Sequence, residues 1–252
     1  MRVAAIYDIH ANLPALEAVL EEIRQEAVDH VVVGGDVLPG PMPVESLACL
    51  MALEVPTSFI VGNGDREVLA VMAGVETPWY RDAKEAWREP VQWTANQLGS
   101  VEQRILEGWQ ATVHHEVAGL GKVLFCHATP RNDWECFTNA TSERLLEPIF
   151  ESVVEPVVVC GHTHMQFDRM VGRVRVVNSG SVGMPYGERG ACWLLLDAGV
   201  HHRRSHYDPA GAARRIRATN YPQAEDFVSQ CIFDPPPEQQ MIELFSRAEL
   251  TP

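Results

Sequence analysis

The sequence predicts an α/β fold built from two β-sheets with helices around them. Two observations carry this expectation. The opening of the chain alternates short apolar runs with helical periodicity, and the later half spaces its short strands closely.

RVAAIY (Arg2 to Tyr7) is short, apolar and closed by polar residues, which makes it a buried strand. NLPALEAVLEEIRQEA then turns helical, with Leu13, Leu16, Leu20 and Ile23 on one face. HVVVGGD is a second buried strand with a glycine stop, PVESLACLMAL a second helix, and PTSFIVGNGD a third strand. Such a βαβαβ opening implies a parallel sheet with right-handed crossovers. From Arg66 to Gln110 the pattern is helical and carries Trp79, Trp87, Trp93 and Trp109. It reads as two or three helices forming one wall of a cleft. ATVHHEVAG and KVLFCHATP form a hairpin pair of strands, and a helix follows over Ser142 to Glu151. EPVVVCGHTH, QFDRMVG, RVRVVNSGS and ACWLLLDA are further strands whose tight connections suggest an antiparallel partner sheet. AGAARRIRATNY and EQQMIELFSRAEL are C-terminal helices on either side of DPPPE. The expected organisation is one domain over 1–252, with a helical insertion at about 66–110 and a helical tail at about 208–252.

Composition narrows the function. The chain has 252 residues, 46% hydrophobic and 21% charged, enough to bury a full core without staples. A net charge of −14 repels nucleic acid backbones, so a DNA or RNA reader is not expected. It leaves room for a small phosphorylated substrate, because bound cations reverse the local field. The six cysteines form no CxxC pair, and several sit in apolar runs. That suits free thiols in a reducing, cytoplasmic setting and argues against a zinc knuckle. The first apolar run is too short for a signal peptide core, and no membrane span is expected.

The chemistry-bearing residues lie immediately after strands. Asp8 and His10 follow the first, Asp36 the second, Asn63 and Asp65 the third. His127 follows KVLFC, and His162 and His164 follow PVVVC. Loops beyond the carboxyl ends of strands are where α/β sheets gather ligand sites. Singly, each residue reads as a helix cap, a turn former or a solvated strand end. Their joint placement beyond separate strands outweighs those readings. Carboxylates, imidazoles and one amide make a mixed O/N ligand set. That set suits two divalent transition metals (Mn, Fe, Zn, Co or Ni) sharing a bridging carboxylate better than Mg or Ca.

The ordered motifs Asp8-Ile9-His10, Gly35-Asp36, Gly62-Asn63-Gly64-Asp65, His127 and Gly161-His162-Thr163-His164 resemble those of the calcineurin-like metallophosphoesterase superfamily, over residues 1 to about 205. DIHANLPALEAVL, HATPR and NSGSVGMP are similar to its small prokaryotic phosphodiesterases of the YfcE-like and archaeal type. The resemblance implies a four-layer α/β/β/α sandwich of two packed, mixed sheets. It implies one metal on Asp8, His10, Asp36 and His164, and another on Asp36, Asn63, His127 and His162, with Mn or Fe favoured. It further implies phosphodiester hydrolysis, and possible phosphomonoester hydrolysis, by a metal-bridging hydroxide. Asp36, Asn63, Asp65 and Arg131 would then belong to the catalytic machinery.

Asp65 is expected to orient a ligand such as His10, with a plain helix N-terminal acid as the alternative. Gly64 departs from the family pattern, which places a histidine there to assist the leaving group. Arg66 and Arg131 are candidates to grip phosphate oxygens. NSGSVGMP reads as a brace for the GHTH loop or an anion cradle. Trp134 reads as a lid, a core residue or a stacking platform. The expected partner is a small phosphoester. The rival reading is a non-catalytic scaffold of the same fold that binds a protein; Gly64 favours it and the full ligand set opposes it.

Overall fold

The computed structural model describes residues 1–247 and Leu250; positions 248, 249, 251 and 252, and with them part of the helix expected to reach 250, lie outside the described residues. The chain runs β1 (Val3–Ile6), α1 (Leu13–Gln25), β2 (His30–Val33), α2 (Pro43–Met51), β3 (Thr57–Phe59), α3 (Asn63–Met72), α4 (Pro78–Asp82), α5 (Glu85–Gln97) and α6 (Ser100–Glu107). Then come β4 (Thr112–Val117), β5 (Gly121–Cys126), α7 (Glu143–Phe150), β6 (Val157–Cys160), β7 (Gln166–Val171), β8 (Val174–Ser179), β9 (Ala191–Leu196) and β10 (Val200–Ser205). The tail holds α8 (Pro209–Arg217), α9 (Ala224–Phe227), a π-helical turn (Val228–Phe233) and α10 (Glu238–Phe245).

Two mixed five-stranded sheets form, in the orders β10-β9-β1-β2-β3 and β4-β5-β6-β8-β7. Alternation along β1 explains why they stack. Val3 and Ala5 point into the layer between the sheets with Val32, Phe125, Val159 and Leu194. Ala4 and Ile6 point the other way, onto Leu16 and Leu20 of α1. The second sheet does the same: Leu124, Val158 and Val176 face Leu146 and Ile149 of α7. Helix, sheet, sheet and helix therefore make four layers around three apolar interfaces.

Two expectations change here. The second sheet is mixed, as the family resemblance implies, and not antiparallel as the strand spacing alone suggests: β5 with β6 and β6 with β8 are parallel pairs, and only the β4–β5 and β7–β8 hairpins run antiparallel. The long β5–α7–β6 connection is what permits a parallel neighbour. ACWLLLDA leaves that sheet altogether; β9 pairs antiparallel with β1. Its residues are buried on both faces, so alternation alone cannot assign it to either sheet.

The helical stretch contains four helices, and α3 begins at Asn63 itself, so the GNGD segment is a helix N-terminus. Two of its tryptophans pack internally: Trp109 stacks on Phe59, and Trp93 meets Tyr221 of the tail edge-on. Trp79 and Trp87 are exposed. None of these four rings pairs with an imidazole of the metal-ligand candidates among the described residues. Among the described residues no helix is long and apolar enough to cross a membrane, and all six cysteines are free.

Candidate metal centre

The loops after β1, β2, β3, β5 and β6 meet at one edge of the stacked sheets. Backbone hydrogen bonds lace them together: Asp8 N to Gly35 O, His10 N to Asp36 O, and Gly161 N to His127 O. The cost of this meeting is visible in the backbone. Asp8, His10, Asp36, His162 and His164 all take positive φ, between 46° and 68°. Non-glycine residues pay about 1–3 kcal/mol each for such conformations, which persist only where surrounding structure imposes them.

Two trios of ligand atoms result. Asp8, His10 and His164 form one, and Asp36, His127 and His162 the other, with the ligand atoms of each trio all within 4.8 Å of one another. Asp36 reaches toward both. Its Oδ2 lies 3.9 Å from His10 Nε2, and its Oδ1 lies 3.6 Å from His127 Nε2. That is the placement a bridging carboxylate requires. Asn63 completes the second group, with its side-chain oxygen 3.1 Å from His127 Nε2. The same corner of the amide lies 2.9 Å from His162 Nδ1 and 3.1 Å from the Asp133 carbonyl.

The outward nitrogen of each imidazole is anchored on a backbone carbonyl. His127 Nδ1 meets Gly34 O at 3.0 Å, His164 Nδ1 meets Met184 O at 2.9 Å, and His162 Nε2 meets Trp134 O at 3.2 Å. His10 bonds to the Pro39 backbone, where only a carbonyl is on offer. A carbonyl only accepts, so each ring gives its proton outward and turns a lone pair inward. Metal-bound histidines are oriented in this way.

At the first trio those inward lone pairs meet no proton donor among the described residues, whereas at the second the Asn63 amide, turned over, can donate to His162 Nδ1 and His127 Nε2. His10 Nε2 and His164 Nε2 approach to 3.2 Å. Asp8 Oδ1 is buried without a hydrogen-bond partner among the described residues, 3.5 Å from His164 Nε2. The Asn63 corner is ringed by acceptors. A cluster of converging acceptors is costly unless a cation sits among them, so the residues present fit divalent metal ions.

Protonation states agree with that fit. Burial, and then the neighbouring imidazoles, lower His10 and His162 to about 3, so both rings are neutral and ready to ligate. Asp36 is driven well above the usual carboxylate range, first by burial and then by the charge of Asp8. Burial and the charge of Asp36 push Asp65 up to about 8. Buried carboxylates this close cannot all ionise without compensating positive charge.

The remaining sequence candidates fall differently. Asp65 does not hold His10; it accepts from Leu38 N at 2.9 Å and Gly62 N at 3.0 Å, capping α3. Pro39 takes the orienting role instead, a backbone partner that side-chain patterns do not reveal. Gly64 donates its N–H to Asp36 Oδ1 at 2.7 Å. A side chain there would collide with the Leu38 carbonyl oxygen and come within 3.0 Å of the Pro39 ring. Glycine is required because the chain after β2 lies directly over α3, not because of a positive φ. Arg66 makes a two-pronged pair with Asp133, at 2.8 and 3.3 Å, and also binds Glu67. Arg131 is held on the buried Glu135.

NSGSVGMP braces two ligand loops. Asn178 Nδ2 donates to Gly161 O at 2.6 Å, Ser181 Oγ to Asp8 O at 2.7 Å, and Met184 supplies the carbonyl for His164. The sequence reading missed Tyr186, the residue directly after that motif. Its ring stacks on His164 with centroids 5.3 Å apart and planes 22° from parallel.

Comparison with known proteins agrees with this architecture. Residues 1–199 match the calcineurin-like phosphoesterase superfamily domain. An uncharacterized protein of Methanocaldococcus jannaschii is 26% identical over 218 residues, covering 77% of this chain and 82% of that protein. The crystal structure of a metallophosphoesterase from Sphaerobacter thermophilus superposes with a TM-score of 0.69 at 25% identity, covering 91% of this chain and 98% of that one. A hypothetical protein from Pyrococcus horikoshii OT3 gives a TM-score of 0.76 at 20% identity, covering 93% and 99%, which shows the shared fold.

Proposed function

This chain belongs to the calcineurin-like phosphoesterase superfamily, and on that premise we propose that it is a dinuclear metal-dependent phosphodiesterase. The observation that carries this reading is the split reach of Asp36, one oxygen toward each trio. Asp8, His10, Asp36 and His164 would hold one ion, and Asp36, Asn63, His127 and His162 the other. Mn or Fe suits this mixed nitrogen and oxygen set. When bound, the two ions supply an activated water and positive charge for the phosphoryl oxygens.

The protein's own groups favour a diester over a monoester. Asp8, Asp36 and Asp65 gather carboxylates at the site, and Arg66 and Arg131, the nearby cations, are engaged with carboxylates of their own. A monoester dianion asks for more positive charge than a diester monoanion. We assign residues 1–252 to one such domain, with the helices before β4 and those of the tail as additions to it. Asp65 and Pro39 act by holding α3 and His10 in register.

The test is elemental analysis after Mn²⁺ loading, together with hydrolysis of bis(p-nitrophenyl) phosphate. Two ions per chain and turnover of the diester are expected. Protein that takes up no metal refutes the reading. Metal-loaded protein inert toward every ester would make it a scaffold.

A further inference from the structure

Tyr186 is half-buried. Its hydroxyl bonds to no protein group among the described residues and is not one of the enclosed atoms that lack a partner, so it is open to an incoming group. Its surroundings place it at the metal centre. The ring lies over His164, and burial first, then Cys231 and Asp8, raise the Tyr186 phenol above its ordinary value. The phenol therefore sits against the trio that holds His164.

The segment is held on three sides. Met184 O, two residues earlier, anchors His164. Gly187 N, the next residue, donates to Pro236 O of the tail at 2.9 Å. Phe245 of α10 meets the Tyr186 ring with centroids 6.4 Å apart. A rotatable hydroxyl on a clamped ring is preorganised for a substrate group, since little further ordering is needed on binding.

We propose that Tyr186 is a substrate-binding and catalytic residue whose hydroxyl donates a hydrogen bond to an oxygen of the phosphoester held between the two trios, and that the C-terminal tail serves to fix it there. This rests on the phosphoesterase reading. A hydrogen bond to a charged oxygen contributes about 10- to 100-fold in affinity or rate.

The test is Tyr186→Phe, which keeps the ring on His164 and removes only the hydroxyl. Three quantities are measured on Mn²⁺-loaded protein: metal content, kcat/KM for bis(p-nitrophenyl) phosphate, and affinity for inorganic phosphate by calorimetry. Unchanged metal content is expected, with kcat/KM lower by about 10- to 100-fold and phosphate affinity weakened by about 10-fold. Unchanged kinetics and phosphate affinity would overturn the proposal. So would a loss of metal, which would make Tyr186 a support for His164 alone. If wild-type protein hydrolyses no ester, the phosphoesterase reading fails, and phosphate affinity still decides the role of Tyr186. A variant that does not fold would show that the hydroxyl is structural and would also overturn it.

Discussion

His10 Nε2 and His164 Nε2 face each other at 3.2 Å, although the loops that carry them are 154 positions apart in the chain. With both rings anchored on carbonyls, the contact is between two lone pairs. Asp36 stands close by, turned toward both trios, and its replacement tests the arrangement most directly. Asp36→Asn removes charge from both sites while nearly keeping shape. Metal content after Mn²⁺ loading should fall from two ions to one or none, and diester hydrolysis should drop by at least about 10³-fold. Retention of two ions would contradict the bridging assignment.

Metal uptake should expel protons. Asp36 and Asp65 both bind protons more tightly than usual in the metal-free protein, whereas His10 and His162 are already neutral. Loading at pH 7 should therefore release about one to two protons per chain, read from calorimetry in buffers of differing ionisation enthalpy. Affinity should rise with pH. Proton uptake on loading would contradict these shifts.

The stability of metal-free protein should follow the same shifts, with the sign worked out group by group. A carboxyl raised in the folded state contributes stability at low pH that is lost as pH rises through the folded value, about 8 for Asp65. Imidazoles lowered to about 3 act oppositely: their contribution is lost as pH falls below the ordinary 6.5. The two trends oppose each other below 6.5, and only the carboxyl trend operates above it. The melting temperature of metal-free protein should fall between pH 6.5 and 8, and Mn²⁺ should reverse that slope.

Gly64 should resist substitution for a steric reason. Gly64→Ala brings a methyl group against the Leu38 carbonyl, so α3 or the chain over it must shift. A loss of about 1–3 kcal/mol in denaturant unfolding is expected. Gly64→His meets the same obstacle, and it should lower metal occupancy through Asp36 rather than supply a working acid. A Gly64→His protein of wild-type stability that accelerates poor leaving groups would refute this account.

Arg66 and Asp133 should behave as a pair. The pair joins α3, which starts at the ligand candidate Asn63, to the loop whose Trp134 carbonyl anchors His162. Arg66→Ala and Asp133→Ala should each weaken metal binding several-fold at the second site, with stability losses up to about 1 kcal/mol because the pair is partly exposed. The double variant should cost little more than either single one. An additive double variant would show that the two residues act apart.

What the sequence by itself determined is local: which short runs are buried strands, and which polar residues stand directly beyond them. Asp8, His10, Asp36, Asn63, His127, His162 and His164 were legible because apolar periodicity ends where each begins, and because their chemistry is a ligand set. The tertiary structure decided what depends on approach between distant segments. It placed β9 beside β1, since a strand buried on both faces shows no alternation that names its partner. It turned Asp65 into a helix cap and gave His10 to a backbone carbonyl, because hydrogen-bond partners are set by the final path of the chain. It explained Gly64 through the chain lying over it, and it brought Tyr186 onto His164 by clamping a loop under the tail. Each of these is a contact between segments far apart in sequence, and no periodicity within either segment encodes it.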